Sequence, residues 1–588
     1  MNRISPRLLA ALALVATMLF VAACGGDDES SSTSDQNKKA AETAAEGKKG
    51  GKLEQLGASD VDFLDPGQTY YTGGFQVLYA TQKTLYSFQP GEPEAKPDLA
   101  EGEPEIADDK MSVTVTLKKG VKFAPPVNRE IQGKDIKYAF ERAFSKNVPN
   151  QYTTYFKFIE GAPEEPGAVK DISGIKVDPA DPYKITFTLS EPKAVGFAAF
   201  LVMPVTTPVP KEYAEKFDKK SPSTYNENVV ASGPYMVRND AEGKLVGYKA
   251  GKSIELVRNP NWNKDADFRP AFLDEILLRT NATDANVAGR QVLSGQGLTL
   301  DTNPPAQVLE RVVTSQKEQL KTVPSGGFRW FPLNRTVKPL DDVNVRKAIL
   351  AAFDRDAARK ARGGEFVGPV GTHFIPPGIS GFEQAGGLKG PGFDFLANPK
   401  GDMAVAAKYM KEAGYASGKY DGSEELLMIT ANVDPGKAQA EVAKAQLEKL
   451  GFKVRLRTVP QDAVYTEWCQ QPAKKVAVCG SAGWFKDFND PQSMLEPTFK
   501  GSEISKSGGN NNLSQLNDPK IDKAMDDAAL LEGDERFEAW AEVDKMITED
   551  APAVPFVWDN TNLIHSKNVN GVASEYFTAF DFSFTSLK

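Results

Sequence analysis

Histidine is nearly missing from this chain of 588 residues: His373 and His565 are the only two, far apart in sequence. No His-x-x-x-His pair and no Cys-x-x-Cys pair occurs, which removes the usual metal spacings. No Gly-x-Ser-x-Gly elbow occurs either, so the hydrolase nucleophile turn has no candidate. Gly247 to Ser253 looks like a phosphate-binding loop, but it has three residues between its glycines where the phosphate cradle needs four. Basic charge is also short. Lys plus Arg number 70 against 79 Asp plus Glu, a formal net charge of −9, and general nucleic-acid binding needs a basic footprint instead. The residues therefore point to no catalytic constellation, no cofactor and no metal, and the expectation is a protein that is not an enzyme.

Long apolar runs are confined to the N-terminus. Leu8 to Ala23 is apolar except for Thr17 and follows Arg3 and Arg7. It is shorter than the roughly 20 residues of a bilayer span and fits a secretory signal peptide, residues 1–23. The run ends Val21-Ala22-Ala23-Cys24-Gly25, which resembles a bacterial lipoprotein signal. That resemblance implies cleavage before Cys24, lipidation of its sulfur, and a place on the outer face of the cell membrane. After Cys24, residues 25–51 are mainly Gly, Asp, Glu, Ser, Thr, Gln, Lys and Ala without an apolar period, so 24–51 has the composition of a flexible tether. With Cys24 assigned to lipid, Cys469 and Cys479 remain as a spare pair outside the cytoplasm, where such pairs close as disulfides.

From Gly51 onward short β-rich runs alternate with helical patterns, an α/β signature. Ser112 to Leu117 and Lys184 to Leu189 alternate with period two. Helices are expected over Gly133–Phe144, Val345–Ala361 with Arg346 and Lys347 on its solvated side, Asp402–Ala413, Ala438–Leu450, Ile521–Leu531 and Glu535–Thr548. Pro304-Pro305 marks a stiff turn, either a domain boundary or a surface loop.

Aromatic residues cluster at Tyr70-Tyr71, at Phe328-Arg329-Trp330-Phe331, and at Trp484-Phe485 with Phe488. Such a cluster is more often core than cleft wall. The segment Gly483 to Pro491 differs, because it adds Asp487, Asp490 and a turn-forming proline to its aromatics, as a cleft-lining loop does.

These segments, in this order, resemble the bacterial extracytoplasmic solute-binding proteins of family 5, the oligopeptide and dipeptide type. The resemblance is carried by Leu64-Asp65-Pro66, Pro97-Asp98-Leu99-Ala100, and Gly120-Val121-Lys122-Phe123 with Gly133 to Phe140. Pro125-Pro126 stand in place of the family's Gly-x-Pro turn. Ser232-Gly233-Pro234-Tyr235, Leu256 to Pro260 with Trp262, Asn344 to Arg355, and Gly483-Trp484 with Asp487 continue the match. The resemblance implies a two-lobed periplasmic-binding fold of the large peptide-binding class, closing about a hinge. By analogy one lobe holds 52–303 and 556–588 with an inserted subdomain near 86–230, and the other holds 304–555. It implies a monomer serving an ABC permease and ATPase complex. Asp487 would anchor a peptide's α-ammonium, with Trp484, Tyr71 and Trp330 as walls. Relatives that bind nickel complexes, haem, sugars, opines or antibiotics, or that sense a ligand without transport, define the alternatives.

Overall fold

The computed structural model describes residues 47–588 apart from 93, 302, 325, 481 and 506–508. The expected leader, Cys24 and most of the expected tether lie outside the described residues. The tether's last residues are docked: Lys48 bridges Leu587, and the Gly50 and Gly51 amides bond to Phe272 O and to Asp274. The folded body therefore begins a few residues earlier than its composition suggests.

The first lobe is built on a mixed sheet ordered Leu298–Leu300, Lys52–Leu56, Glu275–Arg279, Ser253–Arg258, Tyr235–Val237. Lys52–Leu56 runs parallel to both neighbours, and the remaining pairs along this order are antiparallel. Ile254, Leu256, Ile276 and Leu278 alternate inward and meet Val77 and Ala80 of helix Thr72–Thr81. A four-stranded antiparallel sheet follows the same rule. Val113 and Val115 lie opposite Phe187 and Ile185, all buried, while the intervening threonines are half-buried. This sheet carries helix Gly133–Ala143 and forms the insertion, but its core is continuous with Phe75, Tyr79, Tyr576 and Phe577 of the first lobe.

The second lobe carries two small sheets. Glu425–Ala431 and Lys453–Val459 pair in parallel, joined through helix Gly436–Lys449. A parallel pair needs such a crossover. In the second sheet Gly327–Pro332 lies between Ala482–Phe485 and Ala553–Trp558, both antiparallel to it.

Two expected features are corrected. The pattern over 345–361 is two helices, Val343–Ala352 and Arg355–Arg362, because the Asp354 side chain accepts from the Ala357 amide and starts a new N-terminus. Arg346 is buried, not solvated, with its guanidinium on Asp550 and on the Leu340 carbonyl.

The segment after the proline pair packs on the first-lobe sheet. Helix Ala306–Ser315 follows Pro304-Pro305 yet packs Val308, Leu309 and Val312 against Leu56, Leu300 and Ile564, within the first lobe. Leu320–Val323 and Thr561–Ile564 pair antiparallel, and Val323 and Leu563 pack with Ala573 and Phe580. Ala553–Trp558 is wholly buried and pairs with Gly327–Pro332.

Candidate functional site

The stretch Gly483 to Pro491 places its residues on an edge strand and the loop after it. Ala482–Phe485 is the outer strand of its sheet, and Phe328 lies opposite Trp484. The Trp484 indole donates to Ser493 O at 2.8 Å, which fixes the ring at the strand end. Past the strand, the Ser493 hydroxyl lies 2.7 Å from Phe488 O and 2.8 Å from Asp490 O. The loop is thus folded back onto the start of helix Gln492–Phe499.

This loop reaches the other lobe. Phe488, buried, packs against Tyr155 and Phe200 of the insertion, with ring centroids at 5.5 Å and 4.7 Å. Asp487 is 5% exposed. Its carboxylate accepts from the Tyr70 hydroxyl at 2.6 Å and from the Tyr155 hydroxyl, and its carbonyl accepts from the Tyr576 hydroxyl at 2.6 Å. All three tyrosines belong to the first lobe.

Local chemistry explains how Tyr70 gets there. Asp62 accepts from the amides of Tyr70 (2.6 Å) and Tyr71 (3.1 Å) and from the Thr69 hydroxyl (2.7 Å). Asp65, in the same turn, is held by both terminal nitrogens of buried Arg142 at 2.8 Å. The turn read from Asp62 to Pro66 is thereby braced at two carboxylates, and helix Thr72–Thr81 starts directly after Tyr71.

Burial dominates the electrostatics. It pushes the Asp487 carboxyl up to about 7, against the opposing pull of the two tyrosine hydroxyls. Burial first, and then the Asp487 charge, hold the Tyr70 and Tyr155 phenols well above their ordinary value, so both remain donors. An ionised carboxylate offers about four lone-pair positions, and the tyrosines use two. The remaining capacity suits a cationic donor with several N–H groups.

The structure assigns the other named residues as follows. Trp484 lines this site, its ring 6.2 Å from that of Tyr70. Tyr71 is 40% exposed, and its neighbour Tyr70 is the one that meets the carboxylate. Trp330 is buried on the central strand of the same sheet, paired with Ala482 of the edge strand, its ring 4.7 Å from that of Phe328. Cys469 and Cys479 are bonded to each other as a disulfide. Tyr155 and Tyr576 were not singled out by sequence. Their partner lies in the other lobe, and no local pattern points to it.

Around Asp487 the seam between lobes carries further direct bonds. Glu503 meets Lys157 at 2.7 Å and the Thr154 hydroxyl, and Asn511 donates to Gln151 at 2.8 Å. A cavity of about 50 Å³ opens at this seam between Tyr155, Gly196 and Phe200 on one side and Gln492, Glu496 and Lys500 on the other. Among the described residues no helix is long and apolar enough to cross a membrane, and no cluster of three metal-ligating side chains occurs.

The model of the bacterial extracellular solute-binding proteins, family 5 Middle, matches residues 94–506. The chain belongs to this family. Among its relatives, a dipeptide-binding protein of Pseudomonas aeruginosa is 27% identical over 527 residues, covering 86% of this chain and 90% of its own. The oligopeptide-binding protein OppA of Bacillus subtilis is 25% identical, covering 80% of this chain and 83% of its own. Among solved structures, clavulanic acid biosynthesis oligopeptide binding protein 2 superposes with a TM-score of 0.78 at 24% identity, covering 92% of this chain and 96% of its own. The two-lobed architecture is thus the family 5 architecture.

Proposed function

We propose that this family 5 protein captures peptides or peptide-like solutes between its lobes, binding the ligand's free α-ammonium at Asp487, and delivers them to an ABC permease. The observation that carries the reading is the Asp487 carboxylate itself. It is buried at the seam, held by neutral donors of the opposite lobe, and retains acceptor capacity. A buried carboxylate is costly unless paired, and an arriving ammonium supplies the missing charge. A charge-assisted bond of this kind contributes about 1.5–3 kcal/mol. The adjoining strand Ala482–Phe485 lies at a sheet edge, where an extended peptide can add by backbone pairing. The names of the dipeptide- and oligopeptide-binding relatives agree with this cargo.

In this reading the lobes hinge at the paired strands Leu320–Val323 and Thr561–Ile564, and ligand contacts to both sides favour closure. Trp484 and Tyr70 wall the amine end, while Trp330 backs it from the neighbouring strand and Tyr71 stands at the outer edge. The role is binding rather than catalysis, by a monomer tethered through lipidated Cys24 to the outer face of the membrane. Tethering raises the effective concentration at the permease without adding contacts.

Calorimetry with tri-alanine and N-acetyl-tri-alanine tests the anchor. The wild type is expected to favour the free amine and Asp487→Asn to lose that preference. Equal binding of both peptides by the wild type defeats the reading. Radiolabelled palmitate incorporation, lost on Cys24→Ala, tests the tether.

A further inference from the structure

Asp487 sits in a loop whose shape has two sets of supports. One set crosses the seam: Tyr70 and Tyr155 on the carboxylate, Tyr576 on the carbonyl, and Phe200 against Phe488. These separate when the lobes part. The other set lies within the second lobe and stays whatever the lobes do. Its strongest member is Arg536, in the first turn of helix Gly533–Asp550 and 7% exposed.

The Arg536 guanidinium meets Asp490 fork to fork, Nε to Oδ2 at 2.8 Å and Nη2 to Oδ1 at 2.9 Å. Nη2 also donates to Gln492 Oε1 at 2.7 Å. Nη1 turns the other way, to the carbonyls of Ala528, Ala529 and Leu531 at 3.2, 3.0 and 3.4 Å, at the C-terminal end of helix Pro519–Ala529. One side chain therefore ties a helix's negative end to the loop that carries Asp487. Asp490 in turn accepts from the Gln492 amide at 2.8 Å, and its own amide donates to Phe488 O at 2.9 Å. The path from guanidinium to Asp487 is a short run of backbone fixed at each step. Bidentate arginine–carboxylate pairs supply this kind of directional hold, which a lysine's point charge does not.

We propose that Arg536 is the positioning residue of the amine anchor: its fork on Asp490 keeps the 487–490 loop in binding shape while the lobes are apart. Preorganisation of this kind removes an ordering cost from first capture. Arg536 bonds to Asp490 and not to Asp487, so it acts through the loop and not on the ligand. The inference rests on the amine-anchor reading.

The test is calorimetry on the mature protein with tri-alanine and N-acetyl-tri-alanine, for the wild type, Arg536→Lys, Arg536→Gln and Asp490→Asn, with a thermal melt of each. Each variant is expected to lose about tenfold of the free-amine preference, while affinity for the acetylated peptide stays within about twofold. Arg536→Lys should retain part of the hold on the helix carbonyls and melt nearest the wild type. An unchanged preference in a folded variant overturns the proposal, and so does equal weakening toward both peptides, which is what a merely structural role produces. If both Arg536 variants fail to fold, Asp490→Asn decides, since it leaves Arg536 on its carbonyls. A wild type with no preference defeats the anchor and this inference together; a wild-type preference untouched by the variants defeats this inference alone.

Discussion

Tyr70 and Asp487 stand 417 residues apart in sequence, and the phenol of one donates to the carboxylate of the other at 2.6 Å. The bond joins the two lobes at the point where the ligand's amine is proposed to bind. Removing it by Tyr70→Phe takes away one of the forces that lower the Asp487 pKa. The carboxyl should then titrate higher still, and the pH below which tri-alanine affinity declines should move upward. Calorimetry across pH 5.5–8.5 reads the shift, and an unmoved midpoint contradicts the assignment.

The same carboxyl sets opposite demands on binding and stability. Its folded value of about 7 lies above its ordinary 3.8, through burial. Its proton therefore stabilises the fold fully below the unfolded value, and that contribution fades as pH rises through 7. Asp487→Asn removes the penalty, so at pH 8 this variant should melt at or above the wild-type temperature while binding free-amine peptides more weakly. A lower melting temperature there indicates that the carboxylate supports the fold instead.

Asp559 behaves the other way. It is buried, and Arg362 and Arg329 hold its carboxyl below the ordinary value despite the opposing effect of burial. Its contribution is present above the unfolded value and is lost as pH falls through the folded one. Asp559→Asn leaves two arginines without their shared partner and should cost about 3 kcal/mol in urea denaturation at pH 7. The loss should shrink in acid. A loss independent of pH assigns the effect to packing.

The Cys469–Cys479 bridge closes a short loop, with a sequence separation of 10. In the loop-entropy account such a closure contributes roughly 2–3 kcal/mol. The oxidised mature protein should show no alkylatable thiol, and Cys469→Ser with Cys479→Ser should lower stability by about that amount. Two free thiols without reductant refute the pairing.

What the sequence shows and conceals divides by distance along the chain. Val113, Val115, Ile185 and Phe187 announce their strands because burial alternates with the side chains. Asp402 announces its helix because its cap partners, Ala404 and Val405, are its near neighbours. Arg346 misleads because its partner, Asp550, is 204 residues away, and a lone arginine on a helix reads as solvated. The Tyr70-Tyr71 pair marks the right turn, but which ring faces inward is fixed by the backbone bonds to Asp62. Tyr155 and Tyr576 carry no local sign, since the carboxylate and carbonyl they serve belong to the opposite lobe. Pro304-Pro305 suggest a boundary through their stiffness, and they do not show that the apolar face of the next helix packs against Leu56 and Leu300.

Lys48 bridges Leu587 beside the first-lobe sheet. Both ends of the body thus leave from one spot on one lobe. If the proposed tether and hinge hold, opening should swing the second lobe about Leu320–Val323 and Thr561–Ile564 while the first stays with the tether. In the proposed hinge motion a dye at residue 588 would keep its distance from a dye at residue 50, and a dye on helix Gly436–Lys449 would change its distance from both.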